Sequence, residues 1–206
     1  MKPGHRPCVR ARRGFTLLET TVALGVFLVL SYSLVVTLDM ASDSQGAVTA
    51  RSVEVRSARA AHAHFADELR QTDPDDVQIT TLADGNHEVS FRQPIEVGGA
   101  AVWGVFDMTL GATEDERNRV DWRLRYTVTS AVEGGQTVRQ LVRQIVDDQD
   151  NVVLQRAVSY GLAAGDGTAP GFRLTRAGDV WRVELGTVQH GSNSYRKEDF
   201  HVGIRN

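Results

Sequence analysis

The sequence predicts an α+β chain: a long N-terminal helix, apolar in its first half and amphipathic in its second, packed on antiparallel sheet. Three observations carry this. Residues 15–38 (FTLLETTVALGVFLVLSYSLVVTL) are almost uninterrupted hydrophobe. Residues 39–71 contain no proline and repeat apolar positions at helical spacing. From Val77 onward, β-branched and aromatic residues alternate with polar ones between Gly, Asn and Asp clusters.

At 1.5 Å rise per residue, the apolar run is long enough to cross a hydrocarbon core of roughly 30 Å. Lys2, Arg6, Arg10, Arg12 and Arg13 precede it, with no acid among residues 1–14. Asp39 and Asp43 follow it. The positive-inside rule then keeps residues 1–14 cytoplasmic and places the body on the far side. A cleaved secretory signal has a shorter apolar region and a small-residue cleavage site. A twin-arginine signal accounts for Arg12-Arg13 but fits poorly with an acid at the start of the run. A retained anchor with a processing point before it accounts for both.

The formal net charge is −3, and removing the five leader positives leaves −8 on the remainder. An acidic body without a basic stripe argues against nucleic acid as a partner. The single cysteine, Cys8, precedes the apolar run, so the rest of the chain forms no internal disulfide. It also stands on the wrong side of the run for lipid attachment.

Glu19 is the one charged residue of the run. A carboxylate at a helix centre in lipid costs about 2.5–3.5 kcal/mol, and less near an interface. Either Glu19 stays shallow and hydrated, or it meets a cation inside the membrane. Arg13-Gly14-Phe15-Thr16-Leu17-Leu18-Glu19, after a basic leader and before a long apolar run, resembles the signature of type IV prepilins and type II secretion pseudopilins. The resemblance implies that a prepilin peptidase cuts between Gly14 and Phe15. Phe15 then becomes the N-methylated first residue, and Glu19 is the assembly carboxylate. A new amine at Phe15 is a cation that Glu19 of an adjoining subunit can neutralise in low dielectric. Within one helix the two lie four residues apart, so local pairing is also open.

Two departures from major pilins point toward a minor subunit. No proline occurs between Pro7 and Pro74, and no C-terminal disulfide can form. What the resemblance implies is a J-type minor pseudopilin at the tip of a short periplasmic pseudopilus. Its partners would be other minor and major pseudopilins and the inner-membrane assembly platform. A minor type IV pilin serving pilus assembly, adhesion, motility or DNA uptake is the alternative in the same class. An anchored extracytoplasmic binding module or hydrolase is the alternative in another. The expected location is the bacterial inner membrane, single-pass.

Four segments follow: leader 1–14, membrane helix 15–38, amphipathic extension 39–72 and β-rich body 77–206. Val48, Val55, Ala58, Ala61, His62, Phe65 and Leu69 mark the apolar face of the extension. Arg51, Glu54, Arg59, Asp67, Glu68 and Arg70 fill the remainder. An unbroken helix over 15–71 would reach roughly 85 Å, with Gly25 and Gly46 as loosening points. Residues 72–76 (TDPDD) end it. His62 and His64, two apart, do not share a helix face, which argues against zinc.

In the body, 77–82 and 88–92 read as a hairpin around Ala83-Asp84-Gly85-Asn86. Residues 101–110 form an apolar run. Trp122, Leu124, Tyr126 and Val128 share one face of a strand, with Arg123, Arg125 and Thr127 on the other. Residues 137–146 (TVRQLVRQIV) fit a helical template. The Gly-Gly turn before them and the family resemblance favour a strand. Residues 152–160 make another strand, 172–175 and 180–185 a hairpin, and 200–204 a last short strand. Asp147, Asp148 and Asp150 could hold calcium, but the run lacks the glycine and distal glutamate of an EF-hand loop. An acidic turn is the simpler reading, and no cofactor is expected. No nucleophile elbow, zinc-protease motif or phosphate loop occurs, so no enzymatic activity is expected.

Overall fold

The computed structural model describes residues 16–133, 135–164, 169–188 and 195–203. Helix α1 spans Leu17–Arg70. The chain divides into two units, residues 1–49 and 50–206, with α1 contributing to both.

In the first unit, the stretch Leu17–Gly46 has a mean hydropathy of 2.2 and is long and apolar enough to cross a membrane. None of its most apolar window is buried against the protein. Leu17, Leu18, Phe27, Leu28 and Val29 stand open. By length and composition this stretch is a candidate membrane span. Gly25 and Gly46 do not interrupt α1. Thr20, Thr21 and Thr37 donate their hydroxyls to carbonyls four residues back, at 3.0, 2.9 and 2.8 Å. These hydroxyls are therefore satisfied within the helix.

The second unit is antiparallel sheet against residues 50–70 of α1. Strands β1 (Gln78–Thr81), β2 (His87–Phe91), β6 (Arg123–Glu133), β7 (Gln136–Val146) and β8 (Val152–Tyr160) form a sheet in the order β1-β2-β6-β7-β8. Strands β9 (Phe172–Ala177), β10 (Val180–Val188) and β11 (Tyr195–Gly203) form a second, ordered β11-β10-β9. Strands β3 (Gln93–Val97), β4 (Ala100–Phe106) and β5 (Asn118–Val120) form a third. A one-turn helix α2 (Glu114–Arg117) precedes β5. The fold is α+β.

Residues 137–146 are strand, paired along their length with β6 from Arg123↔Val146 to Val132↔Thr137. Their helical look comes from burial on both faces: Leu141 and Ile145 on one, Val142 and Val146 on the other. A strand buried on both sides loses the alternation that identifies it. The 172–185 hairpin closes through Gly178 at φ 62°, a conformation that glycine adopts without Cβ strain. The last strand runs from Tyr195 to Gly203, longer than expected; Ile204 lies outside the described residues.

Three elements escaped the reading of the sequence. Strand β3 contains Pro94, which is tolerated because β3 is an edge and needs no inward N–H there. Strand β5 is only three residues long. Helix α2 carries a Thr113–Glu116 capping box that is legible as T-x-x-E.

The core lies where α1 meets the sheets. Phe65 stands edge-on to Tyr126 at 4.7 Å, to Phe172 at 5.5 Å and to Phe91 at 6.1 Å. One helix side chain thus ties β2, β6 and β9 together. Ala58, Ala61, Phe65, Ala66 and Leu69 are buried, whereas Val48 is exposed. Glu68, expected on the charged face, is buried at 8% exposure. It lies three residues after Phe65 and seven after Ala61, so helical geometry carries it onto the same stripe.

Candidate functional site

Two constellations stand out, one in each unit. The first is the start of α1. Thr16 precedes the first helical residue, and its backbone N–H donates to Glu19 Oε2 at 3.0 Å. Its hydroxyl donates to the same oxygen at 3.0 Å, and the Glu19 N–H returns a bond to Thr16 Oγ1 at 3.3 Å. This is a reciprocal capping box, which satisfies free N–H groups of the first turn. The Thr16-x-x-Glu19 spacing could have announced it. Glu19 therefore sits in the first turn, where the positive end of the helix dipole favours a carboxylate. Gly14 and Phe15, the expected cleavage and methylation positions, lie outside the described residues.

The second constellation is a buried polar network in the body. Glu68 Oε1 accepts from Arg143 Nε at 2.9 Å, with Nη2 also at 2.9 Å. Glu68 Oε2 accepts from the Tyr126 hydroxyl at 2.5 Å. Arg143 Nη1 donates to Asp107 Oδ2 at 2.8 Å. His64, one turn earlier on α1, places Nδ1 3.5 Å from Glu68 Oε1 and 3.4 Å from the Tyr126 oxygen. Arg143 stands between Leu141 and Ile145 on the inward face of β7, opposite Tyr126 in register. Asp107 is delivered by the turn after β4. Burial and the neighbouring Glu68 push the Tyr126 hydroxyl well up. Burial alone would lower Arg143, but Glu68, Tyr126 and Asp107 outweigh it and raise the guanidinium. Burial raises Asp107, yet its bonds from Thr109 and the Arg143 charge bring it below its ordinary value. The Glu68 and Asp107 carboxylates share the one Arg143 guanidinium. Its bonds link α1 to β6, β7 and the turn after β4.

A third cluster secures the helix exit. Asp76 accepts from Arg92 N at 2.7 Å, Nε at 3.0 Å and Nη2 at 2.7 Å, with Arg123 Nη2 at 3.2 Å. In the acidic turn, Asp147 accepts from Asn151 N at 2.8 Å and Gln149 N at 3.0 Å. Asp150 pairs with Arg125, and Asp148 is exposed. Asp147 and Asp150 thus organise the turn and its neighbouring strand.

His62 stacks on Phe200 at 3.7 Å and an interplanar angle of 19°. His87 Nδ1 lies 3.0 Å from the Leu174 carbonyl. Burial first, then the Arg70 charge, lowers His62; burial first, then Arg173, lowers His87. A histidine held below its ordinary 6.5 resists protonation only while folded. The unfolded chain then binds more protons, so stability is unaffected well above pH 6.5 and declines as pH falls below it. The body should unfold at a lower temperature at pH 5 than at pH 7.5, and His62→Phe should reduce that difference. Thermal melts at the two pH values check this.

The sequence did not bring Glu68, Tyr126, Arg143 and Asp107 together as a cluster. The available signals were the position of Glu68 on the Ala61–Phe65–Leu69 stripe and that of Arg143 between two inward-facing hydrophobes. Comparison of the chain with family models, with curated proteins and with solved structures gives no match.

Proposed function

We propose that this chain is a minor pseudopilin, a structural subunit of a type II secretion pseudopilus that acts by assembly rather than by catalysis. The observation that carries the reading is the single carboxylate of Glu19 in the first turn of a long, uncovered apolar helix, directly after Arg13-Gly14-Phe15. A prepilin peptidase cuts between Gly14 and Phe15, and Phe15 is methylated on its amine. The mature helix remains in the bacterial inner membrane, with the body on the periplasmic side. In the assembly, Glu19 receives the Phe15 amine of an adjoining subunit. The exchange replaces the two Thr16 donors with a cation, and in low dielectric a cation is the stronger partner. The other partners are major and minor pseudopilins and the inner-membrane platform.

The body's role is to present a rigid surface to neighbouring subunits. The Glu68–Arg143–Tyr126 network supports this, because it fixes the upper part of α1 against the sheet. Deleting the gene and restoring it on a plasmid tests the reading. Export of secreted proteins across the outer membrane should be lost and then recovered. Loss of surface pili, motility or DNA uptake with secretion intact would select a minor type IV pilin instead. Intact secretion and intact pilus functions together would refute both.

A further inference from the structure

The turn that ends α1, the β3–β4 hairpin and the end of β9 border a groove of about 660 Å3, lined by residues 70–75, Pro94, Trp103 and Arg176. That volume lies within the roughly 300–1,000 Å3 of small-ligand sites. Trp103 opposes Pro94 in the β3–β4 register, so both rings stand on one face of that sheet. Pro94 is exposed, and Trp103 is 38% exposed, whereas Trp181 is buried and Trp122 half-buried. An indole left open in a groove is a flat apolar platform with an N–H donor at its edge.

The charged groups lining the groove are balanced, Arg70 and Arg176 against Asp73 and Asp75. Each is steadied by a neighbour. Arg70 holds Asp67 at 3.0 Å, and Arg176 holds Asp75 Oδ1 at 3.4 Å. Asp73 Oδ1 accepts from Asp75 N at 2.9 Å. These bonds leave hydrogen-bonding capacity over. Oδ2 of Asp73 and of Asp75, the Gln71 side-chain amide and the Trp103 indole N–H make no hydrogen bond among the described residues.

The balance decides what fits. A phosphate or an acidic peptide would face two carboxylates, and a cationic ligand would face two guanidinium groups. A wholly apolar ligand would cover the polar rim without pairing it. An uncharged ring with hydroxyls at its edge and C–H groups on its faces meets every group. Its face lies on an indole, and its neighbouring hydroxyls pair with carboxylates, an amide and guanidinium groups that present both acceptors and donors. We propose that this groove is a saccharide-binding site, which seats an uncharged sugar ring of a glycan on Trp103 and holds its hydroxyls with Arg70, Gln71, Asp73 and Asp75. Binding is a property of the single chain, so its failure would leave the proposed assembly role untouched.

The test uses the full chain in a detergent without a sugar headgroup, titrated by calorimetry. The probes are the β-1,4-linked N-acetylglucosamine tetramer, the β-1,4- and α-1,4-linked glucose tetramers, and a decaproline peptide. At least one tetrasaccharide should bind saturably. Binding of the N-acetylated tetramer alone would point to a cell-wall type of glycan, and binding of a glucose tetramer to a neutral glucan. Trp103→Ala should weaken binding by about tenfold or more, whereas Trp103→Phe keeps an aromatic face and should retain most of it. Asp75→Asn, at a side chain 89% exposed, should weaken binding severalfold with an unchanged melting temperature. If Trp103→Ala lowers the melting temperature, Trp103→Phe and Asp75→Asn decide. No saturable binding of any tetrasaccharide would overturn the proposal, as would binding that Trp103→Ala and Asp75→Asn both leave unchanged. Binding of decaproline without any saccharide would overturn it in favour of a proline-rich peptide.

Discussion

Arg143→Ala should destabilise the body by about 3–5 kcal/mol, the usual cost of removing one member of a buried ion pair. The Glu68 carboxylate would remain buried, keeping the Tyr126 hydroxyl but losing both contacts from the guanidinium. Asp107 would lose its contact as well, though Thr109 N and Oγ1 still hold it, at 2.9 and 2.5 Å. For a chain of this size that corresponds to a fall in melting temperature of roughly 10 °C or more. The double variant Glu68→Gln, Arg143→Met should recover part of the loss. Tyr126 keeps an acceptor, and no uncompensated charge remains on the helix. Circular dichroism melts of wild type, single and double variants give the coupling directly. Additive losses would mean that Glu68 and Arg143 act independently and that the network does not lock the helix.

Glu19 variants should separate two roles that the helix start superimposes. Glu19→Ala removes both the capping box and the charge. Glu19→Gln keeps a side chain that can close the box while removing the charge. If Glu19 acts by receiving a cation from an adjoining subunit, both variants should insert normally and both should be lost from the assembly, by tenfold or more. If its part is only to cap α1, the glutamine variant should assemble like wild type. The alanine variant would then lose about 1 kcal/mol of helix stability. Membrane fractionation followed by cross-linking to neighbouring subunits reads both outcomes. Normal assembly of Glu19→Gln would sink the pairing role.

The helix was legible because its two halves announce themselves by different signals, uninterrupted hydrophobicity before Asp39 and 3.6-residue spacing through Phe65 and Leu69. The hairpins were legible where turn residues bracket them, as with Asp84-Gly85-Asn86 and Arg176-Ala177-Gly178-Asp179. Burial of charge was not legible. Glu68 and Arg143 have the composition of surface residues, and only the pairing of β6 with β7 brings Tyr126 and Arg143 under the helix. That contact joins residues more than fifty positions apart, which no local pattern encodes. Strands β3 and β5 were missed for a related reason. Pro94 and the brevity of Asn118–Val120 are acceptable only at an edge, and edges are decided by tertiary pairing. At the N-terminal end the reverse held. Glu19 stood out at once as an anomaly, while its local partner, Thr16, emerged only from the geometry.

The central claim is that Gly14–Phe15 is a processing junction and that the apolar helix is retained as the assembly element. Intact-mass and N-terminal mass spectrometry of the protein isolated from its own membranes tests it most directly. A mature chain beginning at Phe15, one methyl group heavier than the unmodified residue, is the predicted result. A chain that still begins at Met1, or that begins beyond residue 38, would contradict it.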